Sequence, residues 1–324
     1  MTTLTPVFLL ALALFPAVVG LAGSRAAAGA ARYLPVLLTT FAVTVSVAVE
    51  TMLSLSAYLG TVDLFPAAHP HDWSTPILRA TLPIPHAAGL ATGALAVILL
   101  GRTGVHLIRV VVGARRTTAA AAALPAVGGL VIVDDTAAHA YAVPGRNRRV
   151  VVSTGMLRLL TGPQRLALLA HEQAHLRHHH HRYVQLTRLA AAANPLTALI
   201  APAVDHAIER WADAAAVRAV GDPSTVAHAL GRAALGRPAA PPHRPGAAHD
   251  HPHGLGAAHD HPHGLGAAHD HVVDRVHDLL DPPLRQTRAG VLLAVATMLC
   301  WASTAAVVLY IHGVIELAEA TVAR

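Results

Sequence analysis

Thr161-Gly162-Pro163-Gln164-Arg165-Leu166-Ala167-Leu168-Leu169-Ala170-His171-Glu172-Gln173-Ala174-His175 is the stretch on which the reading of this chain turns. Its opening four residues form a capping box with an early proline, and the leucines and alanines that follow continue a helix. The pentad His171-Glu172-x-x-His175 therefore sits within that helix. Residues four apart share one helical face, so both imidazoles reach a single Zn²⁺, while Glu172 reaches the attacking water as general base. Such a centre takes a third ligand from elsewhere and leaves a fourth position open. Downstream, Asp205-His206-Ala207-Ile208-Glu209-Arg210-Trp211-Ala212-Asp213 again places two carboxylates four apart. Glu209 is the candidate third ligand, and Asp213 the candidate partner that orients a ligand histidine.

His171-Glu172-x-x-His175 followed by Glu209-x-x-x-Asp213 resembles the gluzincin integral membrane metallopeptidases, the group that holds the HtpX and CAAX prenyl proteases and the BlaR/MecR antirepressor-type peptidases. The likeness covers roughly residues 129 to 230. It extends upstream through Ala140-Tyr141-Ala142-Val143-Pro144-Gly145 and Val150-Val151-Val152-Ser153-Thr154-Gly155-Met156-Leu157, which look like the strands those families place before the zinc helix. His139 departs from the pattern, since these families commonly carry Asn there. Asn194-Pro195 is similar to the antirepressor branch. The resemblance implies a zinc endopeptidase acting on a protein or peptide substrate near the inner membrane face, with a transcriptional repressor or the chain itself as the target. It also implies a zinc domain between a third and a fourth transmembrane helix. Only a short tail follows the fourth apolar segment, so β-lactam sensing is not among the expectations carried over.

Composition points to the same compartment: 54% of residues are hydrophobic and 13% charged, an unusual balance for a soluble domain. Four apolar segments have roughly spanning length, at about 6–22, 34–59, 86–100 and 291–311. The expected fold is thus mainly α, four transmembrane helices with an α+β zincin-like domain between the third and fourth. Nothing before Pro6 supplies a basic n-region, so the first segment is read as a retained helix and not a cleaved signal. Arg25 and Arg32 lie between the first two spans, and Arg102, Arg109, Arg115 and Arg116 follow the third. Retention of positive charge inside then puts the catalytic segment in the cytoplasm, with the N-terminus and the acidic tail outside. Every one of the 24 basic residues is arginine. They are scattered or juxtamembrane and lack interleaved aromatics, which argues for lipid headgroups as partners and against direct nucleic-acid binding. The lone cysteine, Cys300, excludes an intrachain disulfide.

The resulting plan assigns 1–116 to three helices with a basic juxtamembrane end and 117–240 to the peptidase domain. A His-rich linker at 241–272, a juxtamembrane segment at 273–288, and the fourth helix with its tail at 289–324 complete it. Leu130–Val133 and Arg149–Val152 read as strands flanked by Gly128-Gly129 and Pro144-Gly145-Arg146-Asn147. Ala140, Tyr141, Ala142 and Val143 form the candidate edge on which a substrate strand is added; an ordinary core hairpin is the alternative. Tyr183–Val204 is expected as helices packed on the domain or lying at the interface. His178–His181 covers every side of a helix, so at most one or two of its rings face the site; a solvated or headgroup-facing role is expected. The decapeptide beginning at Gly246 recurs at Gly256 and starts again at Gly266; with so few apolar residues it cannot bury a core and is expected to be disordered. Its His-Asp-His-Pro-His units offer weak chelation of Zn²⁺, Ni²⁺ or Cu²⁺. That underlies the alternative function, a membrane metal-handling or metal-sensing protein with an inactive peptidase-like domain. Glu50, a carboxylate within the second span, is either functional or near a helix end. The oxyanion-stabilising residue is left open among Tyr183, His206 and Arg218.

Overall fold

The computed structural model describes residues 33–64, 75–145, 148–236, 272–281 and 287–322. The expected first span at 6–22 and the decapeptide repeat lie outside the described residues. Three described helices are long and apolar enough to cross a membrane: α1 (Leu34–Thr61), α3 (His86–Ala122) and α10 (Thr287–Val322), the last through its Gly290–Ala320 portion. α1 is the central one, packed against both others. At Gly60 and Gly89 the backbones of α1 and α3 approach so closely that a Cβ on either would strike the other, the small-residue packing that apolar helices use in place of a hydrophobic driving force. Arg79, on the short α2 (Thr75–Thr81), closes this end. It donates to the carbonyls of Ile84 and Gly60 at 2.5 and 3.0 Å and pairs with Asp63.

Two elements run longer than hydropathy suggests. The third span, expected at about 86–100, continues without interruption to Ala122, and the fourth, expected at about 291–311, reaches from Thr287 to Val322. A hydropathy window ends at the first arginine, but arginine and alanine are good helix formers and no proline intervenes between Pro85 and Pro125. What reads as a basic juxtamembrane segment is therefore helix, and its far end becomes part of the domain core. Ala121 is buried with Val131, Tyr141, Val143 and Val151, so the end of α3 covers one face of the sheet. Arg149 donates to the carbonyls of Ala121 and Leu124, both at 2.6 Å, a cation placed at a helix C-terminus, where the macrodipole favours it.

The sheet has order β1-β3-β2, with β1 (Leu130–Val133) parallel to β3 (Arg149–Ser153) and β2 (Ala140–Val143) antiparallel to it. β2 is an edge, registered Ala140 to Val152 and Val143 to Arg149. Its second face packs Ala140, Val150 and Val152 against Met156, Ala167 and Leu168. Ser153 starts α4 (Thr154–Leu159): its hydroxyl accepts from Met156 N and from His139 N, each at 3.0 Å. Gly155 follows because a Cβ there would collide with the Thr136 carbonyl.

α5 (Gly162–Arg177) opens with the expected capping box, Thr161 N donating to Gln164 Oε1 at 3.1 Å. His179, in the left-handed region at φ 54°, turns the chain into α6 (His180–Ala193). A 3-10 turn at Pro195–Ile200, capped by Asn194, leads to α7 (Ala201–Val220), which stops at Gly221 with φ 81°. Asp222 caps α8 (Pro223–Leu235). The Tyr183–Val204 region packs inward: Val184, Ile200 and Val204 share one core with Leu38 and Phe41 of α1 and with Leu293 and Ala296 of α10. The domain therefore sits directly on the helix bundle. Within the segment expected at 273–288 as juxtamembrane, α9 (Val272–Leu280) packs on α8 and lays Val272, Val276 and Leu279 against the domain core. Those residues recur at helical spacing, so one apolar stripe carries the segment into the domain.

Candidate metal centre

Helices α5 and α7 pack side by side, and the two i,i+4 pairs meet across that contact. His171, His175 and Glu209 are all buried and offer ligand atoms within 4.8 Å of one another. His171 Nε2 lies 3.1 Å from His175 Nε2 and 3.4 Å from Glu209 Oε2, while His175 Nε2 lies 3.6 Å from Glu209 Oε1. Ligand atoms around a tetrahedral zinc with bonds of about 2.0–2.1 Å stand about 3.3 Å apart. The observed separations lie near that spacing, with one Glu209 oxygen toward each imidazole, so the donor set fits a zinc ion. Glu172, on the same helix, is fully buried.

The remaining ring nitrogens are also placed. His171 Nδ1 lies 3.0 Å from Asp213 Oδ1; its proton is held there, which leaves Nε2 as the ligand atom. His175 Nδ1 meets His180 Nδ1 at 3.1 Å. For His175 Nε2 to face a metal, Nδ1 must carry the proton and donate it to His180. His180 is itself completely buried, its ring centroid 4.8 Å from that of Trp211. For His180 this corrects the expected solvated or headgroup-facing role; His178, His179 and His181 stay partly exposed, so one ring of the four turns to the site. The left-handed turn at His179 redirects the chain, so the helical wheel through His178–His181 does not apply.

Arg275 is the residue that sequence reasoning missed. On α9, with no exposed surface, it donates through Nε and Nη2 to both oxygens of Asp213, at 2.8 and 2.6 Å, and its Nη1 lies 2.9 Å from Glu209 Oε2. A planar guanidinium is suited to holding two carboxylates in fixed register. Its signal was positional: Arg275 falls on the stripe formed by Val272, Val276 and Leu279, an arginine on an apolar face. Nearby, Arg210 pairs with Asp278 at 2.8 Å, and His206 lies 3.8 Å from the same carboxylate, so α9 is tied to α7 at two levels.

Electrostatics follow from burial and these partners. Burial alone would lower the His171 pKa, but hydrogen bonds and charge from Asp213 and Glu209 outweigh it and raise it to about 10. His175 is lowered to about 4, chiefly by burial, with Glu209 opposing and the charges of His171 and Arg275 assisting. Burial would raise the carboxyls of Glu209 and Asp213; Arg275 and the histidines hold both below their ordinary range. The cluster is thus a buried set of ionised groups in which each carboxylate is matched by a cation.

The candidate edge strand, Ala140–Val143, packs beside α5. Ala140, Tyr141 and Val143 are buried side chains, and among the described residues the outer main-chain edge of β2 pairs with no other strand. His139, at the position where the resembled families carry Asn, has Nδ1 3.8 Å from Asp135 Oδ2.

Residues 112–237 match the model of Peptidase family M48. The matched stretch runs from the C-terminal part of α3 through α8 and contains His171, Glu172, His175, Glu209 and Asp213; Arg275 lies beyond it. The match supports a metallopeptidase of that family, whose members depend on a metal, usually zinc. Comparison with curated proteins and with solved structures returns no match.

Proposed function

We propose that this chain is a multi-pass membrane zinc endopeptidase of the M48 kind. It hydrolyses a protein substrate at the cytoplasmic membrane face in the manner of an antirepressor protease. The single observation that carries the reading is the convergence of His171, His175 and Glu209, with ligand atoms within 4.8 Å of one another, beside a buried Glu172. In this reading His171, His175 and Glu209 hold the ion, which when bound polarises the scissile carbonyl and makes water a nucleophile near neutral pH. Glu172 takes the proton from the attacking water and delivers it to the leaving amine. Asp213 and His180 fix the two imidazoles with Nε2 forward, and Arg275 keeps Glu209 and Asp213 ionised. The free edge of β2 receives the substrate as an added strand, giving main-chain alignment with little sequence demand.

The cytoplasmic placement rests on Arg102, Arg109, Arg115 and Arg116, all on the inner part of α3, which also favour anionic headgroups. A transcriptional repressor, or the chain itself, is the proposed target.

The test compares full-length Glu172→Gln with wild type in lipid nanodiscs, at matched zinc content, on an unstructured protein substrate. Cleavage is expected to fall by about 10²–10⁴-fold with zinc retained; equal cleavage by the variant defeats the enzyme reading. Mass spectrometry of new chain termini in cells expressing either form tests self-cleavage. Termini present only with wild type support the chain as its own target, and identical termini exclude it.

A further inference from the structure

Away from the metal centre, α1, α3 and α6 line an open cavity of 690 Å³, within the range of about 300–1,000 Å³ typical of small-molecule sites. Its walls are almost entirely apolar, with Leu55, Leu100 and Leu189 among them. Ser46, Thr51 and Thr103, three of the hydroxyl residues that line it, are engaged with helix carbonyls: Ser46 with those of Ala42 and Ala190, Thr51 with that of Val47, and Thr103 with that of Leu99. Glu50 differs. Both of its carboxylate oxygens are shielded from solvent and meet no hydrogen-bond partner among the described residues.

We propose that this cavity binds a lipophilic amine, an ammonium group on an alkyl body, entering from the bilayer and pairing with Glu50. An ionised carboxylate among hydrocarbon groups is costly unless a cation pairs with it, and a plain acyl chain supplies none. Water alone is disfavoured because it meets the carboxylate but leaves the leucine walls in contact with solvent. An inorganic divalent cation is disfavoured because Glu50 is the only charged residue in the lining, and such ions are typically held by several oxygen ligands, carboxylates among them. An alkylammonium satisfies both halves of the site, the carboxylate and the leucine walls. This inference does not rest on the peptidase reading.

The probe is dodecylamine carrying a diazirine at the far end of its chain, photolysed with the full-length protein in nanodiscs and mapped by mass spectrometry. Adducts are expected on α1, α3 and α6 around the cavity, displaced by unlabelled dodecylamine at least tenfold more effectively than by dodecanol. Glu50→Gln is expected to reduce labelling at least tenfold while leaving the thermal midpoint and zinc content unchanged. Equal labelling of Glu50→Gln, equal competition by dodecanol, or adducts spread over outward residues such as Ile108 would overturn the proposal. If Glu50→Gln does not fold, Ser54→Phe, which fills the cavity and keeps the carboxylate, serves in its place. Its labelling is expected to be lost, and unchanged labelling overturns the site.

Discussion

At the scale of single residues the centre is an arrangement of compensated charges, and removing one partner exposes another. Arg275→Ala leaves Glu209 and Asp213 buried without their cation, the situation that typically costs about 3–5 kcal/mol. The expected outcome is a correspondingly lower unfolding free energy in metal-free protein, measured by denaturant titration in detergent. Asp213→Asn removes the acceptor that holds the His171 Nδ1 proton, and zinc affinity is expected to fall by about 10–100-fold, read by competition with a chelator of known strength. Much of this was legible in the sequence. His171, Glu172, His175, Glu209 and Asp213 stand at spacings that helical geometry converts directly into neighbours. Arg275 was not, because its contacts form across 62 positions of sequence and past a repeat of low complexity. No local spacing rule spans such a gap. His180 was hidden for a different reason: a single left-handed residue before it changes the direction in which its ring points.

At the scale of elements, short-range chemistry located the strands and the cap of α5 well, because turn residues and capping boxes act over three or four positions. Helix ends in the membrane were placed less well, since hydropathy reports where lipid contact stops and not where hydrogen bonding does. Ser153 joins β3, α4 and the start of β2 through one hydroxyl. Ser153→Ala strands two backbone N–H groups in a buried site, and a loss of about 1–3 kcal/mol is expected in chemical denaturation. Asp222 is a cap of another kind. Hydrogen bonds from Thr225 and Ser224 hold its carboxyl down to about 2 from an ordinary value of 3.8. A carboxyl with a depressed folded pKa stabilises fully above its unfolded value and loses that contribution as pH falls from near 3.8 through about 2. Asp222→Asn is therefore expected to flatten the pH dependence of the thermal midpoint within that window and to leave its slope above pH 5 unchanged.

At the scale of the whole molecule, the helix bundle and the domain share buried cores at both ends of the chain: α1 and α10 with α6 and α7, and the end of α3 with the back of the sheet. The domain is expected to unfold together with the bundle, so calorimetry of the full-length protein in nanodiscs should show one transition and not two. Sidedness is testable on the same preparation. With Cys300→Ser as background, a cysteine placed at Ser224 on α8 is expected to react with an impermeant maleimide in inside-out vesicles and not in right-side-out ones; the reverse pattern would put the domain outside. The position of Arg275 has a bearing on synthesis as well. A ribosome that has completed every helix up to α8 has made both histidines and both carboxylates but not the cation between them. The nascent chain therefore lacks the guanidinium that bridges Glu209 and Asp213 until α9 emerges from the exit tunnel. Any fragment that stops at Leu235 remains permanently in that state, and a peptidase assembled in this order matures only when its C-terminal part arrives.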